Sequence, residues 1–370
     1  MTPPGLYPGP RNAITDVPGI RVGHASAADR LTGTTVILPV APCVAAASVM
    51  GGAPGTRSTN ILDPASVMTE VHAITLSGGS AFGLDAAGGT MDRLRAEGIG
   101  FRVGAARVPI VPSAIIFDLT AGPNAEAPTG WDSPPWFVLG QAATDAALAT
   151  GLPPRGSSFQ GPGSMGPGFA LGAVGAGRGA RAGRIRGGLG TASLIRGDAG
   201  PGSAIVAALA VANPVGEVLI PGSRAFWAAP YEREGEFGAI APPTHPLAPE
   251  ALDFPFDAVS AGSNTTLAVV ATDLALDRDQ CARVALMAQD GLARAIRPVH
   301  SPLDGDTVFV MATGARPLAD PIADTARAGM MAADCVARAI ARAVHAAPSQ
   351  RVEDAGLPAW CDLDDTGDPS

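Results

Sequence analysis

The residues best able to do chemistry lie where a polar turn runs directly into an apolar strand, Ala261-Gly-Ser-Asn264-Thr265-Thr266-Leu267-Ala-Val-Val270. Two hydroxyl residues stand at the junction, and by itself Asn-Thr is an ordinary way to begin a strand. Two other pieces raise its value. Asn213-Pro-Val-Gly216 turns the chain at the end of an apolar strand, where a side-chain amide can project into a cleft. Asp304-Gly-Asp306-Thr307 leads into a further apolar stretch. Residues two apart in extended chain face the same side, so both carboxylates can point at one site. Carboxylates that close repel, which favours one of them keeping its proton near neutrality.

Competing chemistries are weaker. Gly175-Ala-Gly177-Arg-Gly179-Ala180 fits G-x-G-x-x-G/A, but the next residues, Arg-Ala-Gly-Arg-Ile-Arg-Gly-Gly, make a poor helix opening. A Gly-rich hairpin is therefore expected, and not a dinucleotide site. Ser80, in Gly78-Gly-Ser-Ala-Phe82, sits between a strand and a helix without the second glycine of a nucleophile elbow, and is expected to cap the adjoining helix. His24, His72, His245, His300 and His345 show no zinc spacing and are read as structural or exposed. The chain contains no lysine, which removes Schiff-base chemistry. Cys43, Cys281, Cys335 and Cys361 form no metal or redox pair, and no cofactor is expected.

These residues need elements to hold them. Apolar runs predict strands over residues 20–22, 35–40, 44–49, 72–76, 114–119, 204–212, 267–272 and 308–311, several of them apolar throughout and so covered on both faces. Helical spacing predicts helices over 81–97, 136–150, 277–296 and 323–345, with Asp277 as an N-cap and the alanines of the last allowing close packing. Residues 121–135 and 232–255 read as extended connections, and the first dozen residues and 362–370 as loose tails. The pattern is that of one layered α/β domain.

Composition agrees. Hydrophobic residues make up 46% and charged residues 16%, which suits a globular chain. The net charge of -9 argues against nucleic acid. Arg178, Arg181, Arg184 and Arg186 are interleaved with small residues and read as a solvated face. No signal-like or membrane-length apolar run is present, so a cytoplasmic protein with no membrane partner is expected.

Taken together, Ile14-Thr-Asp-Val-Pro-Gly-Ile-Arg-Val-Gly-His24, Thr75-Leu-Ser-Gly-Gly-Ser-Ala-Phe-Gly83, Ala173-Val-Gly-Ala-Gly177, Asn213-Pro-Val-Gly216, Asn264-Thr-Thr266 and Asp304-Gly-Asp-Thr307 resemble the self-processing aminopeptidases that include L-aminopeptidase/D-amidase–esterase and the β-peptidyl aminopeptidases. The Asn-Thr-Thr and Asp-Gly-Asp-Thr pair is most similar to the 6-aminohexanoate-oligomer (nylon oligomer) hydrolase branch. The motifs run in family order from about residue 12 to residue 345.

The resemblance implies an αββα-type sandwich of the aminopeptidase/ornithine acetyltransferase kind, cut by itself between Asn264 and Thr265 into 1–264 and 265–370. It makes Thr265 the N-terminal nucleophile, Asn213 the oxyanion-stabilising amide, and Asp304 and Asp306 the acidic pair. Arg184 stands where the branch has a lysine, and keeps a cation that cannot easily become a neutral base. Phe117 stands where a substrate-pocket tyrosine is expected, without its hydroxyl. The implied activity is hydrolysis of small peptides, β-peptides, amino-acid amides or aminohexanoate oligomers, in a homo-tetramer or larger assembly of the processed chains. An acyltransferase of the ornithine acetyltransferase type and an uncleaved, non-catalytic homologue are the alternatives. Transfer to hydroxylamine separates the first, and an intact Thr265, Asn213, Asp304 and Asp306 set speaks against the second.

Overall fold

A computed structural model describes residues 5–122, 124, 134–150, 165–197, 204–249, 253, 264–349 and 357–368. Most of the connection expected over 121–135 lies outside the described residues, as do 261–263 beside the Asn-Thr junction. In chain order the first half contains β1 (Leu6–Tyr7), β2 (Ile20–Ser26), β3 (Gly33–Pro39), β4 (Cys43–Val49), β5 (Thr56–Arg57), β6 (Glu70–Val71), β7 (Ile74–Ser77), α1 (Ala86–Ala96), β8 (Phe101–Val103), β9 (Ala106–Val108), β10 (Ser113–Ile115) and α2 (Trp136–Ala149). The second half contains β11 (Arg181–Ala182), β12 (Ile185–Arg186), β13 (Gly188–Arg196), β14 (Ile205–Ala212), β15 (Leu267–Leu274), α3 (Arg278–Ala295), β16 (Thr307–Arg316) and α4 (Pro321–His345).

Two sheets carry the fold, one ordered β1-β13-β14-β15-β16-β4-β6 and the other β2-β3-β7-β10-β5. Alternation along the central strands assigns their faces. Val206, Ala208, Ala210, Ala268 and Val270 pack with Val284, Ala288, Met331 and Val336 of α3 and α4. Their neighbours Ala207, Leu209, Val211, Leu267 and Val269 pack with Val22, Ile37 and Leu76 of the second sheet. The far face of that sheet, through Val36 and Leu38, meets Ala87, Leu94, Ala143 and Ala147 of α1 and α2. The layers therefore run helix, sheet, sheet, helix. Burial on both faces explains why β15 is apolar almost throughout.

The long helices start where their caps dictate. Asp277 accepts from the Gln280 N–H at 2.8 Å while the Gln280 side chain returns a bond to the Asp277 N–H at 2.9 Å, a reciprocal cap for α3. Asp320 accepts from the Ile322 and Ala323 N–H groups, with Pro321 at the first helical position of α4.

Several local expectations are corrected. Ser80 is no cap: no side-chain cap bond forms, Gly79 and Ser80 both take left-handed backbone (φ 92 and 52), a 3₁₀ turn comes next, and regular α-helix begins only at Ala86. The N-terminal residues are not wholly loose, since Leu6 and Tyr7 pair with Arg196 and Ile195 as an edge strand. Nor is the C-terminal stretch, where Leu363 is buried and the Thr366 and Asp368 N–H groups donate to the Asp364 carboxylate. The arginine cluster is not one solvated face, because Arg186 is buried while Arg181 and Arg184 are exposed. The Gly-rich hairpin does form, as β11–β12 after a Gly175–Gly177 3₁₀ turn.

Candidate active site

Strand directions assemble the site. β15 and β16 are parallel neighbours, with Leu267 opposite Thr307, so the segments that enter them run side by side at one end of the sheet, and Asn264 bridges Asp304. β14 is antiparallel to β15, with Val211 opposite Leu267, which brings its C-terminal end and Asn213 to the same place. β4 is antiparallel to β16, so the Met50–Gly55 stretch is carried alongside. There Met50 donates to the Asp306 carbonyl at 3.0 Å and Ala53 to the Asp304 carbonyl at 2.8 Å.

The Asn264–Thr265 peptide is held from both sides. The Thr265 N–H donates to the Asn213 carbonyl at 2.6 Å, and the Asn264 carbonyl accepts from the Gly305 N–H at 3.2 Å. The Thr265 hydroxyl, in a residue 3% exposed, lies 2.5 Å from the Asn264 carbonyl oxygen. The hydroxyl is thus folded back onto the carbonyl of its own peptide bond, whose oxygen already receives a main-chain donor.

Asn213 is oriented by two contacts. Its Oδ1 accepts from the Arg181 N–H at 2.9 Å, and its Nδ2 donates to the Phe117 carbonyl at 3.4 Å. The β11–β12 hairpin and the chain beyond β10 therefore fix the plane of this amide. Phe117 enters the site through its backbone.

Asp304 and Asp306 are each 1% exposed, and among the described residues neither hydrogen-bonds Thr265. They clamp the surrounding main chain instead. Asp304 accepts from the Val215 N–H at 3.0 Å, the Ser301 N–H at 3.2 Å and the Ser301 hydroxyl at 2.5 Å. Asp306 accepts from the Thr266 N–H at 2.8 Å and, through its other oxygen, from His300 Nδ1 at 2.8 Å and the His300 N–H at 3.1 Å. Burial first, and the neighbouring Asp306 second, push the Asp304 carboxyl above its ordinary value, the direction that a close carboxylate pair implies.

The expected residues divide into two groups. Thr265, Asn264, Asn213, Asp304, Asp306 and the Phe117 carbonyl come together. Arg184 does not join them: its side chain is 66% exposed and pairs with Glu217 at 3.3 Å. Gly183 at the hairpin tip has φ 56, and a Cβ there would lie 2.4 Å from the Glu217 carboxylate, so the tight turn directs Arg184 toward that partner. Two groups escaped the sequence reading, the Gly305 N–H and His300. A backbone donor has no signature beyond its glycine, and His300 matches no metal or triad spacing. No group of metal-binding side chains occurs among the described residues, and no helix among them is long and apolar enough to cross a membrane.

A family model, Peptidase family S58, matches residues 12–355. The chain is 41% identical over 372 residues to a Mycobacterium tuberculosis protein described as an uncharacterized aminopeptidase, an alignment covering 95% of this chain and 98% of that protein. It is 28% identical over 331 residues to a 6-aminohexanoate-oligomer endohydrolase of Kocuria sp., covering 84% and 81%. The solved L-aminopeptidase D-Ala-esterase/amidase of Ochrobactrum anthropi, described as a variant of the Ntn hydrolase fold, superposes with a TM-score of 0.60 at 20% identity, covering 95% of this chain and 92% of that one. At that identity the likeness is one of fold.

Proposed function

The chain belongs to peptidase family S58, and we propose that within it Thr265 is both the agent of self-cleavage and the nucleophile of turnover. That it hydrolyses peptide or amide bonds follows from the family and its aminopeptidase relatives. The observation that carries the proposal is the Thr265 hydroxyl 2.5 Å from the Asn264 carbonyl oxygen, on a peptide tied at its N–H by Asn213 and at its carbonyl by Gly305.

In the precursor the Thr265 hydroxyl oxygen attacks the Asn264 carbonyl carbon, with the Gly305 N–H facing the oxygen where charge develops. The C–N bond breaks, the acyl group passes to Thr265 Oγ, and water hydrolyses the ester to give chains 1–264 and 265–370. The released α-amine has an ordinary pKa of about 7.7–8.0, suited to a general base near neutrality. It takes the hydroxyl proton in turnover, the activation used by N-terminal threonine enzymes. A substrate carbonyl attacked by Thr265 occupies the position that the Asn264 carbonyl held, so the Gly305 N–H serves again, and the Asn213 amide is the second donor. Asp304 and Asp306 keep the three converging segments in register, and Arg184 acts at the rim through Glu217.

The substrate class proposed is a small peptide, β-peptide, amino-acid amide or aminohexanoate oligomer, the last by analogy with the Kocuria relative. A cytoplasmic homo-tetramer of processed chains belongs to the same proposal. Turnover of an amino-acid p-nitroanilide tests it. Thr265→Ala abolishes turnover and Thr265→Ser retains it; an active Thr265→Ala enzyme overturns the assignment.

A further inference from the structure

His300 lies outside every motif that marked the site, yet it makes two bonds to one oxygen of Asp306, from Nδ1 at 2.8 Å and from its own N–H at 3.1 Å. It does so from left-handed backbone, φ 54, which a non-glycine residue adopts at some strain and which Asn, Asp and His tolerate best. The ring is fixed at Nδ1 against a carboxylate that is 1% exposed, while its side chain keeps 16% of its surface. The other oxygen of Asp306 holds the Thr266 N–H at 2.8 Å, one residue after the nucleophile. A short chain of contacts therefore runs from His300 through Asp306 to the backbone of the reacting residue. It has the form of an orienting group behind a catalytic one.

We propose that His300 is a positioning residue for this site: its Nδ1–H holds Asp306 so that the carboxylate fixes the Thr265–Thr266 backbone, during self-cleavage and again in turnover. The inference rests on the reading of Thr265 as nucleophile. No other described side chain donates to the Asp306 carboxylate, so without the ring that oxygen keeps only the longer main-chain bond. Among the described residues the ionisable group that the ring contacts is Asp306. Arg297, three residues earlier, has its guanidinium 5.9 Å from the Trp227 ring.

His300→Ala removes the donor. His300→Asn restores an N–H at similar reach and tolerates the same backbone. In full-length protein, the rate of fragment appearance and the kcat of the cut enzyme on a p-nitroanilide are expected to fall roughly 10- to 100-fold in His300→Ala, the range for losing a hydrogen bond to a charged group, with KM nearly unchanged. His300→Asn is expected to recover most of the loss, and imidazole added to His300→Ala part of it. A His300→Ala protein with wild-type cleavage and kcat overturns the proposal. So does equal loss in the Ala and Asn variants with a lowered melting temperature and no imidazole rescue, which marks a purely structural residue. The wild-type control separates the two readings: an uncut wild type refutes Thr265 as nucleophile and His300 with it, whereas a cut wild type beside a fully active His300→Ala refutes His300 alone.

Discussion

Gly305→Ala probes the geometry around the nucleophile without removing any reacting group. Gly305 does not have left-handed backbone, so an alanine there is resisted by space alone. Its Cβ would lie 2.6 Å from Thr265 Oγ1 and 2.8 Å from the Ala53 carbonyl oxygen. Carbon–oxygen contacts settle at about 3.3 Å or more, so the hydroxyl must retreat by about 0.7 Å. The Ala53 carbonyl is main chain, in a residue whose N–H is tied to the Asp304 carbonyl at 2.8 Å, and so resists the same Cβ. A displacement of about 1 Å at a reacting centre costs on the order of 100-fold in rate. Self-cleavage in Gly305→Ala is therefore expected to slow by roughly 10- to 100-fold, with a stability loss of about 1–3 kcal/mol from overpacking. The assay is a time course of full-length chain and fragments on denaturing gels, with a thermal melt to confirm folding. Gly88→Ala is the control: in α1 its Cβ would meet the Phe137 ring at an ordinary 3.5 Å, so the melting temperature holds or rises and cleavage is unchanged. A Gly305→Ala protein that folds and cuts itself at the wild-type rate would refute the placement of the hydroxyl against Gly305.

Other parts of the molecule yield further outcomes. Asn213→Ala is expected to lower kcat by about 10²- to 10³-fold, the usual effect of deleting an oxyanion donor, as measured by steady-state kinetics on the cut enzyme. Arg338, 0% exposed, bonds Glu236, the Asn12 side chain and the Ser193 carbonyl. Arg338→Met removes the nearest cation from the Glu236 carboxylate and leaves it the more distant Arg342, at 3.6 Å, so it is expected to destabilise by about 3 kcal/mol, the lower end for breaking a buried pair, as read from urea unfolding. Asp118 is buried, which pushes its carboxyl from its ordinary value up to about 7. The native state then keeps a proton that the unfolded chain releases between about pH 4 and about pH 7, so this group's contribution to stability declines as pH rises through that window. Asp118→Asn is expected to gain on the wild type in melting temperature between those limits; a constant difference would refute the shift.

Much of this was legible in the residues, because burial on both faces writes itself as apolar runs. Residues 267–272 and 308–311 fall within β15 and β16, and Asp277 is the cap that its position announced. β13 was missed for a physical reason. Its Gly188 and Gly190 weaken the strand signature, and the fold needs them because α4 passes so close that a Cβ would meet the Ala343 carbonyl at 2.6 Å or the Ala339 carbonyl at 2.2 Å. The alanines of α4 record the same contact from the helix side. At the site, sequence named the residues but not their duties. The spacing of Asp304 and Asp306 suggested carboxylates aimed at one site, whereas their oxygens are occupied by donors from neighbouring segments, main-chain N–H groups together with the Ser301 hydroxyl and the His300 ring. That arrangement arises from strand pairing, as does the reach of His300 to Asp306. Arg184 could be matched by position, but its direction is set by the Gly183 turn and Glu217.

The most direct test is the intact mass of freshly purified, active protein beside Thr265→Ala. Two masses corresponding to residues 1–264 and 265–370 for the first, and one full-length mass for the second, are the predicted result. A single unbroken chain that turns over substrate would contradict it.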